Sequence, residues 1–360
     1  MTCNRPIKLV AFSDIAGWAE DDHAQAHLAF CLSSNEIIKL GNGLNRCNLF
    51  GGDREDWLEV CHDALITEQA KKFFESEFQP VSVLDDSAHL FTGYYEPQVL
   101  GSLKPTNEFT VPIYAKPDDL VAFTEVERRI SNLNYGRRDC RPQPYFSRRE
   151  IEQGALHSRG LEICYLHSWV DAYFLHIQGN GRVLLPDGKS LRLSFAAKNG
   201  LAYNSIGGVL LKRGIGTHQT MSMQFLKNWM RDNPNAAKEL MWENSSFIFF
   251  SASNKIDPKL GAIGASKVPL TPQRSMAVDR SFWAFGTPLF LSTKLPPETG
   301  GADFRHLMIA QDTGSAIKGM IRGDIYFGWG LEAERAAGHM KNPGEMIALL
   351  PKKLAKRLAQ

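Results

Sequence analysis

The residues best suited to chemistry lie near the C-terminal end of the chain. They fall in Ala310-Gln311-Asp312-Thr313-Gly314-Ser315-Ala316-Ile317-Lys318-Gly319 and in Arg322-Gly323-Asp324-Ile325-Tyr326-Phe327-Gly328. Leu307 to Ala310 reads as a buried strand that runs into an acid. A turn of small residues follows, and Asp324 then opens a second aromatic and β-branched run. A carboxylate at the end of an apolar strand is costly to bury, so it must be paired, hydrogen-bonded or protonated. A carboxylic acid kept neutral near pH 7 can protonate a leaving group. A third acid, Asp279, follows the short apolar run Ser275 to Val278. Phe282, Trp283, Phe285, Tyr326, Phe327 and Trp329 are near these acids in sequence. Rings that stack on sugar faces, beside acids that do the chemistry, are a common way to hold a polysaccharide.

The elements that must position these residues follow from periodicity and turn signals. Residues 18–34 read as a helix on which His23 and His27 stand one turn apart, on an exposed face, with no third metal ligand in view. Trp57, Cys61, Ala64 and Leu65 keep helical spacing. Thr67 is placed to cap a further helix with Ala70, Phe73, Phe74 and Phe78 inward. Val83-Leu84 and Leu90-Phe91-Thr92 read as strands and lead into Gly93-Tyr94-Tyr95-Glu96-Pro97. Adjacent tyrosines in a strand face opposite sides, so one packs while the other lines a groove. Glu96, held extended by Pro97, is either a groove-wall acid or simply the end of a strand. Gly101 to Arg141 is loop-rich, with a domain junction near its start, and Phe146 to Ile151 opens a short helix. Val170 to Gln178 reads as a strand and Gly179-Asn180-Gly181 as a hairpin turn. Arg182 to Leu185 and Leu191 to Phe195 would complete a β-meander. On that assignment His176 and Gln178 share a face, and Gln178 can bond a sugar hydroxyl or amide. Residues 220–230 and 236–242 read as helices, with Phe225, Leu226 and Trp229 inward in the first. Phe247 to Phe250 reads as a fully buried strand. Short strands and Gly/Pro turns from there to residue 330 suggest a closed β-barrel.

Composition narrows the class. At 360 residues two domains are the natural expectation. A net charge of +2 without a dominant basic block argues against nucleic acid as the partner. The six cysteines are too sparse for a disulfide scaffold and form no CxxC pair, which argues against a zinc ribbon. Cys31 and Cys47 either bridge or stay as two buried thiols. No apolar run reaches membrane-spanning length, and Met1 to Pro6 has no signal-peptide core behind it.

Four segments taken together resemble the lytic murein transglycosylase A family: Phe91 to Pro97, His176-Ile177-Gln178-Gly179, Val268 to Asp279 and Asp312 to Gly319. The resemblance spans roughly residues 90–335 in order, and Asp279, Asp312 and Asp324 match the three aspartates for which the family's C-terminal 3D domain is named. It implies a mainly β fold with peripheral helices. Residues 1–102 and 251–360 would form a double-psi β-barrel, 103–250 an inserted β-rich domain, and a groove would separate them. It further implies cleavage of the β-1,4 bond between N-acetylmuramic acid and N-acetylglucosamine in peptidoglycan. Asp324 would be the acid and then the base, with Asp312 and Lys318 as partners. Tyr94, Tyr95, Glu96, Gln178, Gly179, Asp279, Lys318 and Tyr326 would hold the substrate. Asp279 and Asp312 have a second reading, as carboxylates that accept backbone N–H groups in turns. No metal or other cofactor is expected. Glycan strands are the expected partner, a monomer the expected state, and the periplasm or the periplasmic face of the outer membrane the expected location. Three other readings stay open: a hydrolase using Glu96 or Asp312 as second carboxylate, a non-catalytic wall-binding module, and a metal enzyme using His23 and His27.

Overall fold

The computed structural model describes residues 7–39, 48–83, 89–138, 142–217, 220–253, 259–314 and 316–359. Cys3, Cys47, Leu84, Cys140, Arg141, Ser315 and residues 1–6 lie outside that set. The choice between a Cys31–Cys47 bridge and two thiols therefore has one end outside the described residues, and Cys31 is a free thiol. Helices and strands occur in similar amounts, so the fold is mixed α/β rather than mainly β. The chain divides into two compact units, Met1–Glu96 with Ile256–Gln360, and Pro97–Lys255.

The first unit is built on a nine-stranded sheet. Its order is Ile7–Leu9, Phe78–Val83, Gly344–Pro351, Pro288–Lys294, Asp303–Asp312, Ser275–Val278, Arg322–Trp329, Leu90–Glu96 and Lys341–Asn342. Two neighbour pairs are parallel: Ser275–Val278 with Asp303–Asp312, and Arg322–Trp329 with Leu90–Glu96. The rest are antiparallel. The chain from Lys341 to Pro351 pairs first with Leu90–Glu96 and then with Pro288–Lys294 and Phe78–Val83, so one segment joins two distant parts of the ladder.

Helices His23–Ile38, Glu55–Ile66 and Ala70–Glu77 pack through Phe30, Trp57, Phe73 and Phe74 into the same buried cluster as the strands. The first helix starts later than its alanine-rich run suggests, because Asp22 caps it by accepting from the Gln25 amide at 3.2 Å. His23 and His27 are 6% and 9% exposed, which overturns the exposed-face reading. His23 sits edge-on to Trp18 and His27 to Phe73. Thr67 accepts from the Gln69 amide, but Gln69 stands at the cap of the next helix; Phe78 begins a strand rather than ending that helix.

The second unit holds a six-stranded sheet in the order Ile248–Ser253, Ser190–Lys198, Asn180–Leu184, Gln98–Ser102, Glu162–Leu166 and Val111–Tyr114, plus a small three-stranded one. The loop-rich stretch carries a helix, Glu125–Ser131, closed by a reciprocal Thr124–Glu127 cap. The expected strand 170–178 is a helix, Trp169–Gln178, capped by Ser168. Its Ala172 and Leu175 enter the cluster under the sheet, while Tyr173 and Phe174 enter a second cluster with the helices Ile206–Lys212 and Pro234–Trp242. A helix buried on two sides is apolar nearly all round, so the 3.6-residue period is lost and the composition imitates a strand. Gly179, at φ 72°, is the left-handed residue that ends this helix, not the first residue of a hairpin turn. The rest of the meander, Asn180–Leu184 with Ser190–Lys198, is present. Ile248–Ser253 is a strand, but only Phe249 and Phe250 of it are buried.

Candidate active site

The acids are placed by register. Asp312 lies opposite Ala277, Ala277 opposite Asp324, and Asp324 opposite Thr92. Paired residues on neighbouring strands share a face, so these four form a line across the sheet. Strands spaced about 4.8 Å apart put the Cα atoms of the two aspartates about 10 Å apart, with the small Ala277 between them. The line depends on a β-bulge: Met276 pairs with Ala310 but Ala277 with Asp312, which leaves Gln311 unpaired. Gln311 is fully buried, donates to Ala29 O at 2.8 Å and Ser33 Oγ at 2.9 Å, and accepts from Ser275. A glutamine pinned to the first helix therefore fixes where Asp312 points.

Asp324 is half-buried and accepts a short hydrogen bond at Oδ1 from Thr92 Oγ1. Arg322 Nη2 donates to that same hydroxyl at 2.8 Å, and its Nη1 donates to the carbonyls of Leu90 and Gly323. Burial pushes the Asp324 carboxyl above the ordinary range; Thr92 and Arg322 pull it back, and the Asp312 charge pushes it further up. Asp312 is also raised by burial. Its oxygens are occupied, however: Oδ1 accepts from the amides of Ala265 at 3.0 Å and Thr313 at 2.9 Å, and Oδ2 from Tyr94 OH at 2.9 Å. Tyr94 packs at a tilt against Tyr326 with centroids 5.3 Å apart, and Tyr326 OH donates to the buried Glu96 at 3.3 Å. Burial and the Asp312 charge hold the Tyr94 phenol far above its usual value, so it stays protonated and donates to Asp312.

Asp279 is buried and accepts from the amides of Ser281 and Gly319, each at 2.9 Å. Burial raises its carboxyl, but those N–H groups and the Lys318 charge outweigh it and hold the group below the usual range. Lys318 itself is exposed in the turn after Asp312. Among the described residues, no group of three His, Cys, Asp or Glu could hold a metal, so His23 and His27 have no third ligand there.

The family model described as the MltA specific insert domain matches residues 90–251, and that of the 3D domain matches 274–350. Membrane-bound lytic murein transglycosylase A of Escherichia coli (strain K12) is 33% identical over 310 residues, covering 85% of this chain and 76% of that protein. The chain belongs to the lytic murein transglycosylase A family. The Vibrio cholerae member is 36% identical over 265 residues, 72% of this chain and 65% of that protein, so the match spans just under two thirds of its length. Among solved structures, MltA from Neisseria gonorrhoeae superimposes with a TM-score of 0.81 at 33% identity, covering 96% of this chain and 92% of that one. E. coli MltA with bound chitohexaose gives 0.66 at 29% identity, covering 96% and 95%.

In this member of the lytic murein transglycosylase A family, Asp324, Asp312, Tyr94, Tyr326 and Glu96 are brought together. Tyr95 is not with them: it is 8% exposed in the core, and burial beside Glu334 raises its phenol. The neighbouring tyrosines do face opposite sides. Gln178 and Gly179 belong to the other unit, at the end of a helix, where residues two apart do not share a face as His176 and Gln178 would on a strand. Nor do the rings expected near the acids form an exposed set. Trp283, Phe285 and Phe327 are buried, and Trp283 Nε1 donates to Met320 O at 2.8 Å. Two residues of the site, Thr92 and Arg322, carry no signal of their own in the sequence. The available clue is that Thr92 precedes Tyr94 by two in a strand and so shares its face.

Proposed function

We propose that the protein is a lytic transglycosylase that cleaves the β-1,4 bond between N-acetylmuramic acid and N-acetylglucosamine in peptidoglycan. Protonated Asp324 gives its proton to the glycosidic oxygen as the bond to muramoyl C1 breaks. The carboxylate left behind takes the proton from the muramoyl C6 hydroxyl, whose oxygen closes onto C1. One product ends in a 1,6-anhydro ring, the other in a free C4 hydroxyl, and no water is consumed. Carboxyl and hydroxyl groups suffice for this chemistry, so no cofactor is required.

The observation that carries this reading is the contrast between Asp324 and its neighbours. Asp324 has a raised proton affinity and one engaged oxygen. Asp312 accepts three hydrogen bonds and Asp279 two backbone ones, while Glu96 is buried under Tyr326 OH. A hydrolase would need a second carboxyl free to act as base or nucleophile, and these are engaged. Asp312 and Tyr94 then support the site with Tyr326 and Glu96 buried behind them, and the exposed Lys318 borders the substrate; Gln178 and Gly179 are carried by the inserted unit. Asp279 holds the 312–319 turn.

Pairing of Lys341–Asn342 with Leu90–Glu96, and of the following Gly344–Pro351 with Pro288–Lys294, supports a double-psi β-barrel as the unit that bears the acid, with Pro97–Lys255 as the insert. The E. coli MltA solved with chitohexaose, a chain of β-1,4-linked sugars, supports a glycan strand as substrate. Relatives named as membrane-bound enzymes support a location at the periplasmic face of the outer membrane, and the proposed working state is a monomer; no helix among the described residues is long and apolar enough to cross a membrane.

Mass spectrometry of digested peptidoglycan tests the proposal. The wild type releases muropeptides with anhydro ends, and Asp324→Asn lowers the rate at least ~10³-fold, because acid and base are both lost. Reducing ends from the wild type, or an active Asp324→Asn, would overturn it.

A further inference from the structure

We propose that Thr92 and Arg322 are positioning residues that assign the working proton of Asp324 to one oxygen, Oδ2. The inference rests on the reading of Asp324 as the acid. A guanidinium carries donors and no acceptor. With Arg322 Nη2 donating to Thr92 Oγ1 at 2.8 Å, one lone pair of that hydroxyl is taken and its single proton is turned away from the arginine. The remaining neighbour is Asp324 Oδ1, which receives it. Oδ1 is thus an acceptor whether Asp324 is protonated or not, and a transferable proton resides on Oδ2.

The three groups are held firmly. Thr92 is β-branched, stiff about its first torsion, and directly in register with Asp324 on the parallel strand. Arg322 is fixed by the carbonyls of Leu90 and Gly323. A carboxyl free to rotate would present its proton from either oxygen and in either geometry. One locked by a directed hydroxyl presents it from one position, as an acid that must then act as base on the same sugar requires. The same hydroxyl stabilises the carboxylate left after transfer, together with the Arg322 charge.

Among the described residues, the other charged or titratable groups around Asp324 are Tyr326 on its own strand and groups from three other strands. Asp312 ends Asp303–Asp312, Tyr94 lies on Leu90–Glu96, and the exposed Lys341, in register with Thr92, lies on Lys341–Asn342. None of these is changed in the test.

The test is the pH dependence of kcat/KM on purified peptidoglycan for wild type, Thr92→Val, Thr92→Ser, Arg322→Met and Asp324→Asn. In the free enzyme Asp324 must be protonated, so the rate falls as pH rises through its pKa. Thr92→Val, nearly isosteric, is expected to move that falling limb up by about one pH unit and to lower the plateau about tenfold, from loss of a hydrogen bond to a charged group. Thr92→Ser restores both. Arg322→Met moves the limb the same way, and it keeps the inference testable if Thr92→Val does not fold. A limb unmoved in both Thr92→Val and Arg322→Met, with Asp324→Asn dead and anhydro products from the wild type, would overturn the inference alone. An active Asp324→Asn would overturn it by removing its premise.

Discussion

Burial pushes Asp312 and Asp324 in the same direction, yet hydrogen bonding separates them. Asp312 accepts three donors and Asp324 one. Both carboxyls bind a proton more readily folded than unfolded. Their contribution to folded stability is then greatest at low pH and falls as pH rises through the unfolded value, near 4, and then the folded one. At pH 7 the burial of Asp324 costs stability. Asp324→Asn is therefore expected to melt above the wild type at pH 7, with the gap closing as pH drops below about 4; calorimetry across that range checks it. A variant that melts lower at pH 7 would mean that the Thr92 and Arg322 contacts outweigh burial. Tyr94→Phe removes one of the three donors to Asp312 and is expected to cost about 1 kcal/mol in urea unfolding. Because Asp312 is then less well satisfied as an anion, its proton affinity rises further, which NMR titration of the carboxyl would detect.

The elements are tied to the acid line from the N-terminal side. The Asp21 side chain, just before the first helix, is fully buried. It accepts from Arg274 Nη1 and Nη2 at 2.9 Å each, lies 2.8 Å from His306 Nδ1, and accepts from the Leu307 amide at 2.7 Å. Burial alone would raise its carboxyl, but His306, Arg274 and the Leu307 amide hold it well below the usual range. That stabilisation is complete above the unfolded value and is lost as pH falls toward the folded one. Asp21→Ala strands a buried guanidinium and is expected to cost about 3–5 kcal/mol in urea unfolding at pH 7, with the gap from wild type narrowing as pH drops below about 4. The acid-bearing strands were legible because Leu307 to Ala310 and Ser275 to Val278 are short apolar runs ending in aspartate. Their alignment was not, since it depends on the Gln311 bulge and on register between strands far apart in sequence, which no local pattern records. The helix Trp169–Gln178 was misread for a related reason: two separate clusters claim its two sides, and only the fold reveals the second.

Across the whole molecule, the buried apolar clusters divide as the chain does. One lies in Met1–Glu96 with Ile256–Gln360, and three lie in Pro97–Lys255. The second unit also has internal polar ties. Arg148 pairs with Glu152 at 3.1 Å with both side chains 1% exposed, and Arg148 donates to the carbonyls of Asn244 and Ser246. Trp242 Nε1 donates to Glu152 at 2.8 Å. At 159 residues (255 − 97 + 1) the unit is long enough to bury an independent core. Its two ends both arise at one interruption of the first unit, as expected of an insert. Residues 97–255 expressed alone are therefore expected to unfold in a single cooperative transition. They are also expected to release no soluble muropeptides, because Asp324, Asp312 and Asp279 all belong to the other unit. Circular dichroism on heating checks the first expectation and a peptidoglycan digest the second. A non-cooperative melt would mean that the insert borrows its stability from the rest of the chain, and muropeptide release would place catalytic groups outside the line of Asp312, Ala277, Asp324 and Thr92.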